Sequence, residues 1–171
     1  MFALTIERRE FKVSEVTREQ LISKLKTSQR QLTDLLNSVA DNQDWQPSPD
    51  TWSFRYHAAH LATVEKEAYW DRITRIAAAE NPHYESYFNT GRDFSQHELR
   101  NVLSEWAVTR RKVMHFVRSL PKAKNTLTGT HDSFGTITVL DVLQGMLDHD
   151  REHLGELTQL VADFRTEIQH E

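Results

Sequence analysis

The sequence predicts an all-α protein, an antiparallel four-helix bundle, from three observations. Four long segments carry apolar residues at the three- and four-residue spacing of a single helix face. Three of those segments open on a capping-box signature, a Thr or Ser followed three residues later by an acid or amide. Only five Gly and four Pro occur in 171 residues, too few turn formers for a strand-rich fold. The length suits one domain with a real core, and no internal repeat or second composition class divides it, so residues 1–171 are expected to form a single domain.

Residues 1–16 show no helical period and are expected to be an irregular or extended lead-in, with Phe2, Leu4 and Ile6 alternating. Thr17-Arg18-Glu19-Gln20 opens the first helix, about 17–40, whose stripe is Leu21, Leu25, Ser28, Leu32, Leu35 and Val39. Pro47 and Pro49 forbid its continuation. Ser53 then caps a second helix, about 53–79, that stops before Asn81-Pro82 and buries Tyr56, His60, Thr63 or Val64, Glu67 and Trp70. Residues 81–94 form a loop rich in aromatics, either covering the mouth of a site or packing over the end of the bundle. Ser95-Gln96-His97-Glu98 opens the third helix, about 95–120, with Leu99, Val102, Leu103, Trp106, Val113 and Val117 inside and Arg110-Arg111-Lys112 on a solvated face. After a loop over 121–137, Thr138 to Asp141 caps the fourth helix, about 138–165.

Composition excludes several functions. The 25 acidic against 21 basic residues give a net charge of -4 without a dense basic run, so no nucleic-acid footprint is present. No apolar run approaches the ~18 residues of a membrane span, and the charged Glu7-Arg8-Arg9-Glu10 follows too early for a signal peptide. No membrane partner and a cytoplasmic location are expected. With no Cys, disulfides and thiolate ligands are excluded, and any metal must be held by His, Asp or Glu.

The chemistry concentrates at Asp148-His149-Asp150-Arg151-Glu152-His153. Four residues apart on a helix, His149 and His153 stand one turn above each other, and the stripe Val142, Met146, His149, His153, Leu157 turns both inward. A buried imidazole needs a partner, either hydrogen bonds alone or a cation shared by both rings. His60 on the second helix supplies a third inward imidazole; His57, about 60 degrees round the wheel from it, is the weaker candidate. Three protein ligands with an open position suit a catalytic metal better than a structural one. Asp148, Asp150, Glu152 and Glu156 flank the pair, and Asp150 and Glu156 are the candidate catalytic carboxylates, as general base or as orienting partners of the rings. A zincin helix would need Glu where Asp150 stands, with a third ligand from the short remainder containing Glu167 and His170. A di-iron bundle would need two helical Glu-x-x-His pairs, and the one present, Glu80 with His83, straddles Pro82.

Trp52-Ser53-Phe54, His60-Leu61 with Glu65 downstream, Phe134-Gly135-Thr136-Ile137-Thr138 and His149 to His153 follow one another across nearly the whole chain. Together they resemble the DinB-like (YfiT-like) family of metal-binding four-helix bundles. Two positions depart from its pattern: Tyr56 stands where Glu is frequent, and Glu156 where Gln is common. The resemblance implies that His60, His149 and His153 hold a divalent metal, Zn, Ni, Fe or Mn, that the helices connect in an unusual order, and that the chain forms a homodimer. The family includes S-transferases and isomerases that use bacillithiol, mycothiol or glutathione, beside proteins called metal-dependent hydrolases without a known substrate. A metal-dependent enzyme is therefore expected, activating water or a low-molecular-weight thiol cosubstrate against a small molecule. The alternative is a non-catalytic, metal-stabilised bundle that binds a small ligand or partner, with a stress-response role resting on family analogy alone.

Overall fold

A computed structural model of the chain describes residues 17–89 and 91–169. The expected lead-in over 1–16 and His170 lie outside them.

Helix α1 spans Arg18–Asn37, and its Thr17–Gln20 capping box forms with both hydrogen bonds in place. A 3-10 turn at Ala40–Asn42 leads to α2, Phe54–Val64, capped by the Ser53 hydroxyl. A π-helical turn, Glu65–Tyr69, joins α2 without a break to α3, Trp70–Ala77. Helix α4 covers Leu99–Ser119 and α5 covers Val139–Glu167, the latter opening on the Thr138–Asp141 capping box.

The box expected at Ser95–Glu98 does not form. Helix α4 begins at Leu99, and the Leu99 N–H donates to the Gln43 side chain at 2.7 Å, so a residue from the first connector closes this helix end. The two inter-helix loops also hold more structure than expected. Strand β1 (His83–Tyr84) pairs parallel to β2 (Thr128–His131), which pairs antiparallel to β3 (Gly135–Thr138). The hairpin closes at Gly135, whose φ of +69° lies in the region that glycine adopts without steric cost. At Gly129 a Cβ would sit 2.9 Å from the Pro82 carbonyl oxygen, so the absence of a side chain lets β2 approach the residue before β1.

The four helical rods (α1, α2 with α3, α4, α5) do not follow one another round the bundle. Helix α1 packs on α5 and α4, and α2 packs on α4 and α5, which sets α1 diagonal to α2 and α4 diagonal to α5, while α2 and α4, consecutive in the chain, lie side by side. Directions follow from side-chain pairs. Ser28 meets Asp150 and Ser38 meets Arg165, so α1 and α5 run parallel. Arg55 reaches His97 while Glu65 reaches Arg110, so α2 and α4 run parallel as well. The simple antiparallel arrangement expected above is corrected to up-down-down-up. Its physical consequence is that residues 78–98 must travel the length of the bundle to restart the chain at the other end.

The core has two apolar layers. One gathers Leu32, Leu36, Phe54, Leu99, Trp106, Leu157 and Phe164; the other gathers Ile22, Leu25, Ile73, Val113, Val117, Leu143 and Met146. Between them lies a buried polar belt of Ser28, Glu65, Arg110 and Asp150. Arg110, expected on a solvated face, is 1% exposed. Its guanidinium donates to Glu65 at 2.7–2.8 Å, to Asp150 at 2.8 and 3.0 Å, and to the Leu25 carbonyl at 3.0 Å. Glu67, expected inside, is exposed and pairs instead with Arg92, because the π-turn that begins at Glu65 rotates the helix beyond it.

Candidate metal centre

Helix α2 and helix α5, antiparallel neighbours, bring the three expected histidines together. His60 Nε2 lies 3.0 Å from His149 Nε2, and His153 Nε2 lies 3.1 Å from the same atom. The four-residue spacing on α5 does what the helix repeat requires. His153 is buried, and His60 and His149 are half-buried.

The outward-facing ring nitrogens define the tautomers. Asn89 Oδ1 is 2.6 Å from His60 Nδ1, and a carbonyl oxygen can only accept, so Nδ1 carries the proton and Nε2 offers its lone pair. Glu156 Oε2 is 2.9 Å from His153 Nδ1 and fixes that ring in the same way. Two lone pairs thus converge on the Nε2 of His149. One proton there could serve only one of them, whereas a cation serves all three rings, so the donor set fits a divalent metal with histidines oriented by a carboxylate and an amide. Burial holds His60 and His153 neutral by lowering their pKa, and it pushes His149 down to about 3, helped by His153 and His60. Neutral imidazole is the form that binds metal.

The two candidate carboxylates have different fates. Glu156 reaches the cluster through His153 Nδ1. Asp150 does not face the three Nε2 atoms: both its oxygens accept from Arg110, and Ser28 donates to one of them. A general-base role at Asp150 is replaced by one in the buried belt, because its position between His149 and His153 points it to the other side of α5. Asp148 is exposed and is bonded by Gln144 and Arg151; Glu152 is exposed.

Asn89 and Trp52 were not expected at the cluster, and His57, the weaker candidate, also lies beside it. Asn89 arrives from the long crossover, which Tyr56 and Glu67 also hold down through the Asn89 carbonyl, Tyr87 and Arg92. His57 is buried, with Nδ1 3.3 Å from His153 Nδ1, and burial depresses its pKa to about 3. Trp52 packs its ring 4.8 Å from His60 and 5.9 Å from His153, closing one side. On the other side, a cavity of about 390 Å³ opens between α3, α5 and the small sheet, with His149 in its wall.

The sequence profile of the DinB superfamily matches residues 17–157. Among solved structures, the chain is similar to YfiT from Bacillus subtilis, described as a probable metal-dependent hydrolase with an unusual four-helix bundle topology. The TM-score is 0.77 at 18% identity, over 92% of this chain and 93% of that one. No curated protein matches the chain.

Proposed function

The chain belongs to the DinB superfamily, and from that premise we propose that it is a metal-dependent enzyme whose divalent ion is held by His60, His149 and His153. The observation that carries the reading is the convergence of three imidazole Nε2 atoms, 3.0 and 3.1 Å apart, beside a cavity. The likeness to a protein described as a probable metal-dependent hydrolase supports the same class. When bound, the ion supplies Lewis acidity, enough to activate water or a low-molecular-weight thiol as nucleophile near neutral pH. Zn, Ni, Fe and Mn all fall within this reading, since geometry and availability choose among first-row ions that imidazole accepts.

The protein's own groups do the rest. Asn89 and Glu156 hold the Nδ1 protons of His60 and His153 and so keep both Nε2 lone pairs aimed inward. Trp52 excludes water from one flank, and the cavity receives a small substrate at the other. Glu156, about half-exposed, is the carboxylate best placed to pass a proton between this cluster and solvent. Hydrolysis and S-transfer are the two reaction types proposed, with a cytoplasmic homodimer as the working form. No described helix is long and apolar enough to cross a membrane.

A second reading, a metal-stabilised bundle without catalysis, is favoured by one observation: both expected catalytic carboxylates are already engaged by protein partners. Metal analysis of the purified protein tests the first element of both. Wild type is expected to carry about one equivalent of a first-row ion, and His60→Ala and His149→Ala to lose it. Retention in both variants would remove the site. Turnover of thioester, amide or thiol-acceptor substrates by the loaded wild type, absent in the variants, separates enzyme from scaffold.

A further inference from the structure

The cavity beside His149 contains a pair of hydrogen-bond donors that face one another with no protein acceptor shared between them. Strand β2 places His131 in its wall, and α3 places Arg72 there. The backbone N–H of Ser133 donates to His131 Nδ1 at 3.1 Å, so that nitrogen holds the lone pair and the proton of the neutral ring sits on Nε2. Burial and the nearby Arg72 charge both depress the His131 pKa, in keeping with a neutral ring. Yet the atom 3.3 Å from His131 Nε2 is Arg72 Nη2, which can only donate. Two N–H groups therefore converge on one region of the wall.

The charge around this pair is also uncompensated. Arg72 makes no ion pair with a carboxylate among the described residues; it meets instead the Glu85 carbonyl at 3.3 Å and the faces of Tyr69 and Tyr84. The acids of the same cavity are committed elsewhere or lie at its rim. Asp141 accepts from Thr138 at the start of α5, Asp148 accepts from Gln144 and Arg151, and Glu152 is exposed. The remaining wall is apolar, with Phe134, Ile137 and Val142. The Tyr69 ring links the two ends, 5.9 Å from the Arg72 guanidinium carbon and 6.0 Å from the His149 ring.

We propose that Arg72 and His131 seat the carboxylate of a small monocarboxylic acid whose apolar body lies against Phe134, Ile137 and Val142 and whose reactive end reaches His149. The inference rests on the reading of the histidine trio as the reacting centre. A guanidinium beside an N–H matches the two oxygens of a carboxylate. The acidic rim selects against a second negative charge, and thus against a phosphate monoester.

The test is a binding titration of the full-length, metal-loaded protein with three probes: 3-phenylpropanoate, its neutral amide, and phenyl phosphate. The acid is expected to bind about tenfold or more tightly than the amide, the usual weight of a charge-assisted hydrogen bond. Arg72→Gln is expected to erase that preference and Arg72→Lys to keep part of it. Because Arg72 also packs on two tyrosines, Gly145→Leu is the independent variant. A Cβ at Gly145 meets nothing within 4 Å, so the side chain is expected to fill the cavity and weaken acid and amide alike while the helix stays intact. His60→Ala, which should lose the metal, is expected to keep the acid-over-amide preference. Equal affinity for acid and amide, unchanged discrimination in Arg72→Gln, or tighter binding of phenyl phosphate overturns the proposal. Loss of the preference in His60→Ala also overturns it, since the carboxylate would then sit on the ion. A wild type that purifies without metal but still prefers the acid leaves this seat standing and removes only the trio's reading.

Discussion

Arg110→Met removes the one buried cation among the described residues and keeps most of the side chain's volume. Arg110, Glu65 and Asp150 are each 1% exposed, and Arg110 spans α4, α1, α5 and the π-turn with every hydrogen bond at 3.0 Å or less. Breaking a buried ion pair from one side costs about 3–5 kcal/mol, because a charge is left without a partner. Here two carboxylates lose the same partner, but burial already raises the Glu65 pKa, so this residue takes up a proton and limits the loss. A cost near the top of that range, about 4–5 kcal/mol, is therefore expected, out of a total stability of about 5–15 kcal/mol. With a urea slope of about 2 kcal/mol/M the midpoint should fall by roughly 2 M, read by helical circular dichroism.

Two controls separate this cause from a general packing defect. A Glu65 raised above its ordinary pKa of 4.5 destabilises the fold only once pH exceeds that value, because the unfolded chain then ionises freely while the buried acid resists. The Arg110→Met deficit should thus shrink as pH falls from 8 toward 5. The triple replacement Arg110→Met, Glu65→Leu, Asp150→Leu removes all three charges and should recover most of the loss. A single-variant cost below about 1 kcal/mol, or a triple no better than the single, would refute the ionic account.

Three further outcomes are expected. Asn89→Ala and Glu156→Gln should each weaken metal affinity by about 10- to 100-fold in a chelator competition, since in the proposed site they orient the His60 and His153 rings; unchanged affinity would mean the rings orient themselves. His149, held down to about 3 in the fold against 6.5 ordinarily, stays neutral while the unfolded chain protonates. Metal-free protein should therefore lose stability as pH falls below 6.5, more steeply than His149→Gln, and parallel pH profiles of the two would contradict this burial effect. Gly155→Ala, at an exposed helix position where a Cβ meets nothing within 4 Å, should stabilise by about 0.5–1 kcal/mol, a rise of roughly 1–4 °C in Tm by calorimetry.

The helical class and the histidine pair were legible because both follow from short-range rules. Caps at Thr17, Ser53 and Thr138 depend on three neighbouring residues, and the spacing of His149 and His153 is one helix turn. What depended on distant partners was not legible. The box at Ser95 lost to Gln43, a competitor more than fifty residues away. The strands β1 and β2 are too short to show alternation and pair across almost fifty residues. Arg110 had a usable signal: it stands four residues after Trp106 and three before Val113, on the same stripe, but a charged residue there reads as a boundary unless its partners are known. Asp150 misled for a related reason, since its closeness to the histidines in sequence says nothing about which side of α5 its carboxylate takes.

The π-turn ties these features together. In an unbroken α-helix Arg72, twelve residues after His60, would stand about 120 degrees away from it, out of reach of a common site. The extra residue in the wide turn at Glu65–Tyr69, where the Trp70 N–H bonds the Glu65 carbonyl, takes back about 100 of those degrees. His60 before the turn and Arg72 after it then share a face, one meeting the His149 Nε2 and the other lining the cavity that His149 borders. The spacing of buried residues records the shift: Ala68 is followed by Ile73, five positions on, where an α-helix would use three or four. Such a turn is weaker than regular helix and needs a reason to persist, and here Glu65, its first residue, is clamped by Arg110 and Trp106. The buried ion pairs thus hold the turn whose extra residue brings His60 and Arg72 to the same side of one rod.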